Sequence, residues 1–404
     1  MSVEFIHCGD LHLGCNSSRI EERWEDFFNS FEELIHYTII HHIPYILVSG
    51  DFFHLKVINS KTLQKTMELL QLAKTNHIKI FVIEGNHDKA FYVDEDSWLT
   101  FLNNQDMIIL LQTSIFNKEI VLTPYENQMG SIYEDDYIRI IGLGYLGGAT
   151  ERYLETFKEN LPIKNKPTVL MMHAAVNRLI GQDMGDVKKE TLLSFSSKVD
   201  YIALGHIHNR YEYENFIFNP GSLENIRLQD GGNPELKGFY HVKIENEQIN
   251  ATHITSRKRL VYIMKLDASD YINPNDFVGN TLDYAFEFIP QSMVQLNIVG
   301  KVNFNPLMID TKRIEDHLLK EYKLLLVEVN NYVNVVQTMN EGQTEIDLAS
   351  LVEKELIETI QFHFPDIENK EKWASRMLVL ADQLIEKKDP ADIIEELSKA
   401  GDEA

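Results

Sequence analysis

The chain has 404 residues, which suits roughly two or three domains, and 44% of them are apolar. Its net charge is −24, with 38 Lys and Arg against 62 Asp and Glu, which argues against a protein that coats nucleic acid with a broad basic surface. Two cysteines are too few for a disulfide framework or a zinc–cysteine site. No apolar run approaches the ~18 residues of a membrane span, so we expect no membrane association. The chain begins directly as a strand, so we expect a reduced, cytoplasmic protein without a secretory signal.

Short apolar runs alternate with amphipathic helices in the first part of the chain. The predicted elements, in chain order, are strand 4–8, helix 19–42, strand 45–49, helix 60–76 and strand 80–83. Apolar runs of this length suit buried strands and are too short for helices. The alternation of strand and helix predicts a parallel α/β sheet.

Each of these three strands runs directly into a short polar segment. The segments are Gly9-Asp10-Leu11-His12, Gly50-Asp51-Phe52-Phe53-His54 and Gly85-Asn86-His87-Asp88. Open α/β sheets bind their ligands at the carboxyl ends of the strands. We therefore expect all three segments to lie along one edge of one sheet.

Similar junctions follow in the next hundred residues. A strand at 168–173 ends at His173, and a strand at 199–204 leads into Gly205-His206-Ile207-His208. His206 and His208 are two residues apart, so an extended backbone would place them on one face. A strand at 216–218 then enters the turn Asn219-Pro220-Gly221-Ser222, and an alternating strand at 238–244 closes the series.

The character of the sequence changes beyond about residue 250, where such junctions disappear. We assign residues 1–248 to a first domain, 249–340 to a small α+β capping domain and 341–404 to a helical tail. In the tail, an apolar seam from Trp373 to Leu384 follows coiled-coil spacing. The seam predicts a surface for a partner, although packing on the protein's own cap would explain it nearly as well.

Seven polar side chains from these junctions form a candidate metal-ligand set. They are Asp10, His12, Asp51, Asn86, His173, His206 and His208. Oxygen and nitrogen donors without sulfur suit Mn, Fe or Zn better than Ca. Seven ligands are too many for one ion but suit two ions about 3.5–4 Å apart, with one Asp between them. Such a pair stays positive beside two carboxylates, which predicts a phosphate diester as the substrate.

The order and spacing of these segments resemble the five motifs of the calcineurin-like metallophosphoesterases. Within that superfamily, Gly50-Asp51-Phe52-Phe53-His54 and Asn219-Pro220-Gly221-Ser222 look most like the SbcD-type nucleases of DNA double-strand-break repair. The resemblance covers residues 9–222 and implies an α/β metallophosphoesterase sandwich with a cap and a helical tail.

The resemblance also implies a role for each candidate residue. One metal would be held by Asp10, His12, Asp51 and His208, and the other by Asp51, Asn86, His173 and His206. Both metals would be manganese, although other divalent ions are possible. His87 would be the general acid or stabilise charge on the leaving group, with Asp88 orienting it and His54 placing the scissile phosphate.

These roles predict a Mn-dependent DNA exonuclease or endonuclease that acts with an ATPase in DNA repair or foreign-DNA defence. The expected partners are DNA, a coiled-coil ATPase of SbcC type or an ATPase of another class, and a second copy of the chain or a larger complex. One alternative is a phosphatase or nucleotide phosphodiesterase of the same superfamily, and another is a scaffold that has lost the chemistry. Candidate phosphate contacts are Arg178, Lys188, Lys189, Arg210, Arg227 and Arg257-Lys258-Arg259, but for each a solvated surface charge is the favoured interpretation.

Overall fold

The computed structural model describes residues 2–16, 19–89, 96–116, 119–176 and 186–335, together with Ile357, Trp373 and Ser375. The described helices are α1 (Glu21–Ile40), α2 (Ser60–Thr75), α3 (Trp98–Asn104), α4 (Thr150–Glu159), α5 (Lys189–Leu193), α6 (Pro274–Asp283) and α7 (Thr311–Glu321).

The described strands are β1 (Ser2–Cys8), β2 (Tyr45–Val48), β3 (Lys79–Val82), β4 (Ile109–Leu110), β5 (Ser114–Phe116), β6 (Glu119–Val121), β7 (Ile132–Glu134), β8 (Arg139–Leu143), β9 (Thr168–His173), β10 (Ala175–Val176), β11 (Asp186–Val187), β12 (Tyr201–Gly205), β13 (Tyr211–Tyr213), β14 (Ile217–Asn219), β15 (Gly238–Glu245), β16 (Gln248–Thr255), β17 (Val261–Asp267), β18 (Met293–Val299), β19 (Lys301–Val302), β20 (Leu326–Asn331) and β21 (Asn334–Val335).

Two six-stranded sheets form the first part of the molecule. The first has the order β16-β15-β1-β2-β3-β4, and the second has the order β13-β14-β12-β9-β8-β7. In the first sheet β1 to β4 run parallel, as the sequence predicted, while β15 joins β1 antiparallel. Strands β14, β12, β9 and β8 of the second sheet are also parallel to one another, while β13 and β7 join its two edges antiparallel. The predicted α/β architecture is confirmed.

The strand side chains sort into layers because successive residues point to opposite faces. Phe5 and Leu47 belong to a core between the two sheets that also contains Val169 and Tyr201. The neighbouring residue Ile6 instead joins a core shared with α1 and α2, and a third core lies against α4 and α5. The result is a four-layer sandwich in which parallel strands are covered on both faces, as their continuous hydrophobicity requires.

Helix α1 contributes its apolar stripe to this packing. Trp24, Phe28 and Phe31 are buried, as expected for the apolar face of an amphipathic helix that packs on a sheet. Helix α2 begins at an N-cap, where the Asn59 side chain accepts a hydrogen bond of 2.8 Å from the Thr62 amide.

A smaller unit of strands and helices follows residue 250. Its strands β17, β18 and β20 are all parallel, and they alternate with α6 and α7 around a separate core. The preceding strand β16 pairs with β15 in the first sheet, so the sheet continues past the predicted boundary at residue 248. The division into domains remains a prediction.

The chain divides into two compact units, Met1–Val335 and Val336–Ala404. The second contains the predicted tail and its Trp373–Leu384 seam, which lie outside the described residues apart from three helical positions. Among the helices that are described, none is both long and apolar enough to traverse a lipid bilayer.

Candidate metal centre

The polar segments predicted from the sequence meet at one end of the sandwich. Asp10, Asp51 and Asn86 follow β1, β2 and β3 of the first sheet, while His173 and His206 stand at the ends of β9 and β12 of the second. Backbone hydrogen bonds of 3.0 Å join the first two segments, from the Asp10 amide to the Gly50 carbonyl and from the His12 amide to the Asp51 carbonyl. The carboxyl ends of strands from both sheets therefore place polar side chains at the same end of the sandwich.

Four of the candidate ligands have a left-handed backbone, which is uncommon for residues other than glycine. The φ angles are 51° for Asp10, 45° for His12, 51° for Asp51 and 94° for His206. Such conformations cost on the order of 1–3 kcal/mol each and persist where the surrounding structure enforces them. Here each one turns the chain abruptly after a strand, so the side chains converge.

Two glycines permit the close approach of these turns. Gly50 has a φ of 88°, and a Cβ there would collide with the imidazole of His173. A Cβ at Gly85 would collide with the carboxylate of Asp51. Gly50 and Gly85 are therefore required by the packing of the ligands themselves.

Asp51 lies at the middle of the cluster. Its Oδ2 is 3.6 Å from His12 Nε2 and 3.4 Å from His173 Nε2. Its Oδ1 accepts a hydrogen bond of 2.9 Å from the His87 amide. One carboxylate oxygen thus faces imidazoles on two sides while the other is fixed by the backbone.

The remaining candidate ligands fall on either side of Asp51. Asp10, His12 and His208 form one group whose ligand atoms lie within 4.8 Å of one another, and Asp51, His173 and His206 form another. Asn86 Oδ1 accompanies the second group, 3.1 Å from His173 Nε2. All seven predicted side chains are therefore gathered in one place.

The donor set fits divalent cations. His12 Nε2 is buried, and within the described ranges it finds no hydrogen-bond partner. An unsatisfied buried nitrogen is costly unless another group binds it. Together with two carboxylates, an amide oxygen and three further imidazoles, it forms an oxygen and nitrogen site of the kind that first-row divalent metals prefer.

Strong electrostatic coupling marks the same residues. Burial raises the pKa of Asp10 and lowers that of His12 well below its ordinary value. Burial would also raise the pKa of Asp51, but the charge of His173 and their hydrogen bond outweigh it and hold that pKa below its usual range. Burial likewise opposes the charged form of His173, yet Asp51 raises its pKa to about 9. Perturbed groups concentrated in this way are typical of functional sites.

His54 and His87 form a third face of the cluster beside His12. The Nδ1–H of His87 donates to the His54 carbonyl at 2.7 Å, because a carbonyl can only accept. This contact leaves Nε2 as the ring atom that can exchange a proton. Burial and the neighbouring His87 lower the pKa of His54 to about 4.

Asp88 has different partners from those we predicted. Its carboxylate accepts backbone N–H groups of Phe52, Phe53 and Gly85 at 2.9–3.1 Å, whereas the group that orients His87 is the His54 carbonyl. Burial and the charge of Asp51 nevertheless raise the pKa of Asp88 to about 7. Asp88 thus ties the second and third segments together and does not orient the imidazole.

A cleft of about 500 Å³ opens beside this face. Its lining residues are His12, Arg23, His54, His87, His208, Ile226, Arg227, Leu228, Gln229, Met293, Leu326 and Glu328. The last three belong to the unit formed by β17, β18 and β20, so this unit forms one wall of the cleft and the histidines form the other.

The basic residues predicted to contact phosphate lie in different surroundings. Arg227 lines the cleft. Arg210 pairs with Glu212 at 3.0 Å, and both nitrogens of one Arg259 edge bind Asp26 at 2.6 and 2.7 Å. The guanidinium groups of Arg210 and Arg259 are therefore paired with carboxylates of the protein itself. Arg178 lies outside the described residues.

Other residues near the cluster were missed by sequence analysis. Lys89 lies 5.9 Å from the ring of Tyr145, whose centroid is 5.4 Å from that of His206. Asp230 and Lys237 lie behind His208. These residues occupy unrelated segments with no repeated pattern, so no sequence signal distinguished them from ordinary charged residues.

Comparison with known proteins identifies one family and a set of relatives. Residues 3–210 match the family described as calcineurin-like phosphoesterase. A protein of Archaeoglobus fulgidus, described as DNA double-strand break repair protein Mre11, is 25% identical over 232 residues, covering 56% of this chain and 52% of the relative. Proteins of the same description from Thermoplasma acidophilum and Methanocaldococcus jannaschii are 23% and 25% identical, covering 79% and 87% of this chain and 83% and 88% of theirs. The chain thus spans about half the length of some of these relatives.

Proposed function

This chain belongs to the calcineurin-like phosphoesterase family, and on that premise we propose that it is a metal-dependent DNA nuclease. The proposed reaction is hydrolysis of phosphodiester bonds, by exonuclease or endonuclease action. DNA as the substrate is supported by the relatives, which are described as DNA double-strand break repair proteins. A site rich in imidazoles and open to a cleft is compatible with a large anionic substrate.

The observation that carries the proposal is the position of Asp51 between two ligand groups. Its Oδ2 lies within 3.6 Å of both His12 Nε2 and His173 Nε2. We assign Asp10, His12, Asp51 and His208 to one metal, and Asp51, Asn86, His173 and His206 to the other. When bound, two divalent ions, Mn²⁺ in this proposal, supply positive charge to the phosphate and increase the acidity of water.

His87 is the proposed general acid. His87 lines the cleft, and with Nδ1 held by the His54 carbonyl, Nε2 is the ring nitrogen left to deliver a proton to the leaving oxygen. His54 lines the same cleft and would place the scissile phosphate by hydrogen bonding from its ring. Asp88 would contribute indirectly, since it holds the backbone from which both histidines project.

The wider role is also part of the proposal. We infer a cytoplasmic protein that acts on DNA together with an ATPase, of the SbcC coiled-coil type or another class, in repair or in defence against foreign DNA. The names of the relatives favour repair. The tail proposed to bind the ATPase, and the proposed homodimer or larger complex, can be tested by pull-down and light scattering with and without residues 341–404.

Turnover assays with the full-length protein test the activity. We expect Mn²⁺-dependent cleavage of single- or double-stranded DNA, and a fall of about 10²–10⁴-fold in kcat for His87→Ala with metal binding retained. His36→Ala is a matched control, because this histidine is 55% exposed on α1. Hydrolysis of nucleoside polyphosphates without any cleavage of DNA would instead favour the phosphatase alternative, and absence of metal uptake would favour the scaffold.

A further inference from the structure

A charged pair lies directly behind the candidate ligand His208. Asp230 stands in a short 3-10 helix, Leu228–Gly232, and its Oδ2 is 3.4 Å from His208 Nδ1. The same oxygen accepts the Arg227 amide at 3.2 Å. Asp230 belongs to none of the ligand groups found among the described residues, so it approaches His208 from outside the metal centre.

Lys237 fixes the backbone on the same side of His208. It is fully buried, and its Nζ donates to the His208 carbonyl at 2.7 Å and to Ser222 Oγ at 3.2 Å. Its Nζ is also 3.9 Å from Asp230 Oδ2. Burying a lysine is costly without such partners, so Lys237 holds the main chain of His208 and the carboxylate behind its ring in one arrangement.

The turn Asn219-Pro220-Gly221-Ser222 supports the same loop. The side-chain amide of Asn219 donates to the carbonyls of Ile207 and Asn209 at 2.8 and 3.0 Å. The backbone N–H of Ser222 donates to the His208 carbonyl at 3.0 Å. The backbone on both sides of His208 is therefore fixed, so the orientation and the tautomer of its ring are what the surrounding side chains must still determine.

The other metal group is held differently. The Nδ1–H of His173 donates to a neutral backbone carbonyl, that of Ser49, at 2.7 Å, and its Nε2 faces Asn86 and Asp51. His208 instead has a carboxylate beside Nδ1. A carboxylate increases the basicity of an imidazole ligand more than a neutral carbonyl does, and it fixes the ring through the same contact.

We propose that Asp230 is a positioning residue for metal binding, which accepts the Nδ1 proton of His208 and so presents Nε2 to the ion. Lys237 fixes the position of the Asp230 carboxylate relative to the backbone of His208. The inference rests on the proposed two-metal function and adds an asymmetry to it, because His208 of one group has a carboxylate beside Nδ1 and His173 of the other group has a backbone carbonyl there.

A simpler interpretation is that Asp230 only balances the charge of Lys237. The two interpretations differ in a double variant. If charge balance were the whole role, Lys237→Met would remove the effect of Asp230→Asn on metal binding. If Asp230 acts through His208, Asp230→Asn retains its effect in the Lys237→Met background and loses it in the His208→Ala background.

Calorimetric titration of the full-length protein with Mn²⁺ measures this directly. We expect Asp230→Asn to weaken one of the two binding steps by about 10–100-fold and to leave the other unchanged. Glu235→Gln removes one carboxylate from an exposed position of a neighbouring 3-10 helix, Pro234–Leu236, and should leave both steps unchanged. Equal affinities in wild type and Asp230→Asn would overturn the inference, whereas a wild-type protein that takes up no Mn²⁺ would overturn the proposed function first.

Nitrogen NMR of histidine-labelled wild-type protein provides a test that needs no variant. In the metal-free protein at a pH where His208 is neutral, we expect its proton on Nδ1. The Nε2–H tautomer would contradict the proposal even if Asp230→Asn proved too unstable to titrate. Asp230→Glu, which retains the charge, should recover most of the lost affinity.

Discussion

Parallel strands that alternate with helices occur both in the sandwich and in the smaller unit formed by β17, β18 and β20. In the sandwich, strands end at ligand residues with a left-handed backbone, such as Asp10 and Asp51. In the smaller unit, the three strands end at Asp267, Val299 and Asn331, and no ligand group was found there among the described residues. Parallel topology supplies an edge for ligands, but the chemistry requires strained turns that bring several polar side chains within a few ångströms.

The largest expected effect comes from the aspartate shared by the two ligand groups. Asp51→Asn retains the acceptor for the His87 amide but removes the charge between His12 and His173. Because the ligands act as a unit, we expect kcat/KM for DNA to fall by on the order of 10⁴-fold.

The matching strand-end aspartate of the smaller unit provides the control. Asp267 accepts the Ser269 amide at 2.9 Å, and Asp267→Asn should leave kcat/KM unchanged. If kcat/KM for Asp51→Asn stayed within tenfold of the wild-type value in the same steady-state assay, the proposed difference between the sheet edge of the sandwich and that of the smaller unit would be wrong.

A glycine in each unit tests the requirement for close packing. Gly85→Ala would place a methyl group against the Asp51 carboxylate, and a displacement of that size should reduce kcat by about 10²-fold. In α6, a Cβ at Gly279 would meet nothing within 4 Å, so Gly279→Ala should stabilise the helix by about 1 kcal/mol.

Steady-state kinetics and thermal unfolding distinguish these two outcomes. An unchanged kcat for Gly85→Ala would mean that the turn adapts without moving Asp51. A lower Tm for Gly279→Ala would mean that α6 is packed more closely than the structure shows.

The smallest expected effect concerns the wall that the smaller unit contributes to the cleft. Glu328 places a carboxylate opposite His54 and His87, where it opposes the approach of a phosphate backbone. Glu328→Gln should lower KM for DNA by about threefold without changing kcat, and the difference should shrink as added salt screens the charge.

Glu321→Gln is the comparison, since this exposed residue at the end of α7 lies outside the lining of the cleft. Equal KM values for Glu328→Gln and wild type at low salt would show that DNA does not approach this wall.

The sequence revealed these ligands because each stands at or just beyond the carboxyl end of a short apolar strand, and Asp10, Asp51, Asn86 and His206 also follow a glycine. That pattern reports the edge of a parallel sheet, so Asp10, Asp51, Asn86, His173 and His206 could be predicted to meet, and the structure brings them together. The roles assigned to them remain predictions. The same pattern could not reveal that Asp88 folds back to accept three backbone amides, because this depends on the path of two separate turns.

Asp230 and Lys237 show a second limit of what the sequence alone could predict. Each is an isolated charge in an irregular segment, and their importance comes from contacts across more than twenty residues with His208. Two of the predicted phosphate contacts show the opposite case. Arg210 and Arg259 looked available in sequence, but each satisfies its charge on a neighbouring carboxylate of the protein.

The order in which the first sheet is completed has a consequence for synthesis. Strand β1 lies between β2 and β15, and Ser2 pairs with Glu245. A ribosome must therefore translate most of the sandwich before the amino-terminal strand gains its second neighbour. Until then one edge of β1 is open to pairing with other chains, and such long-range closure is slow. A growing polypeptide would thus carry an aggregation-prone edge, which makes this stage the one at which a chaperone would help most.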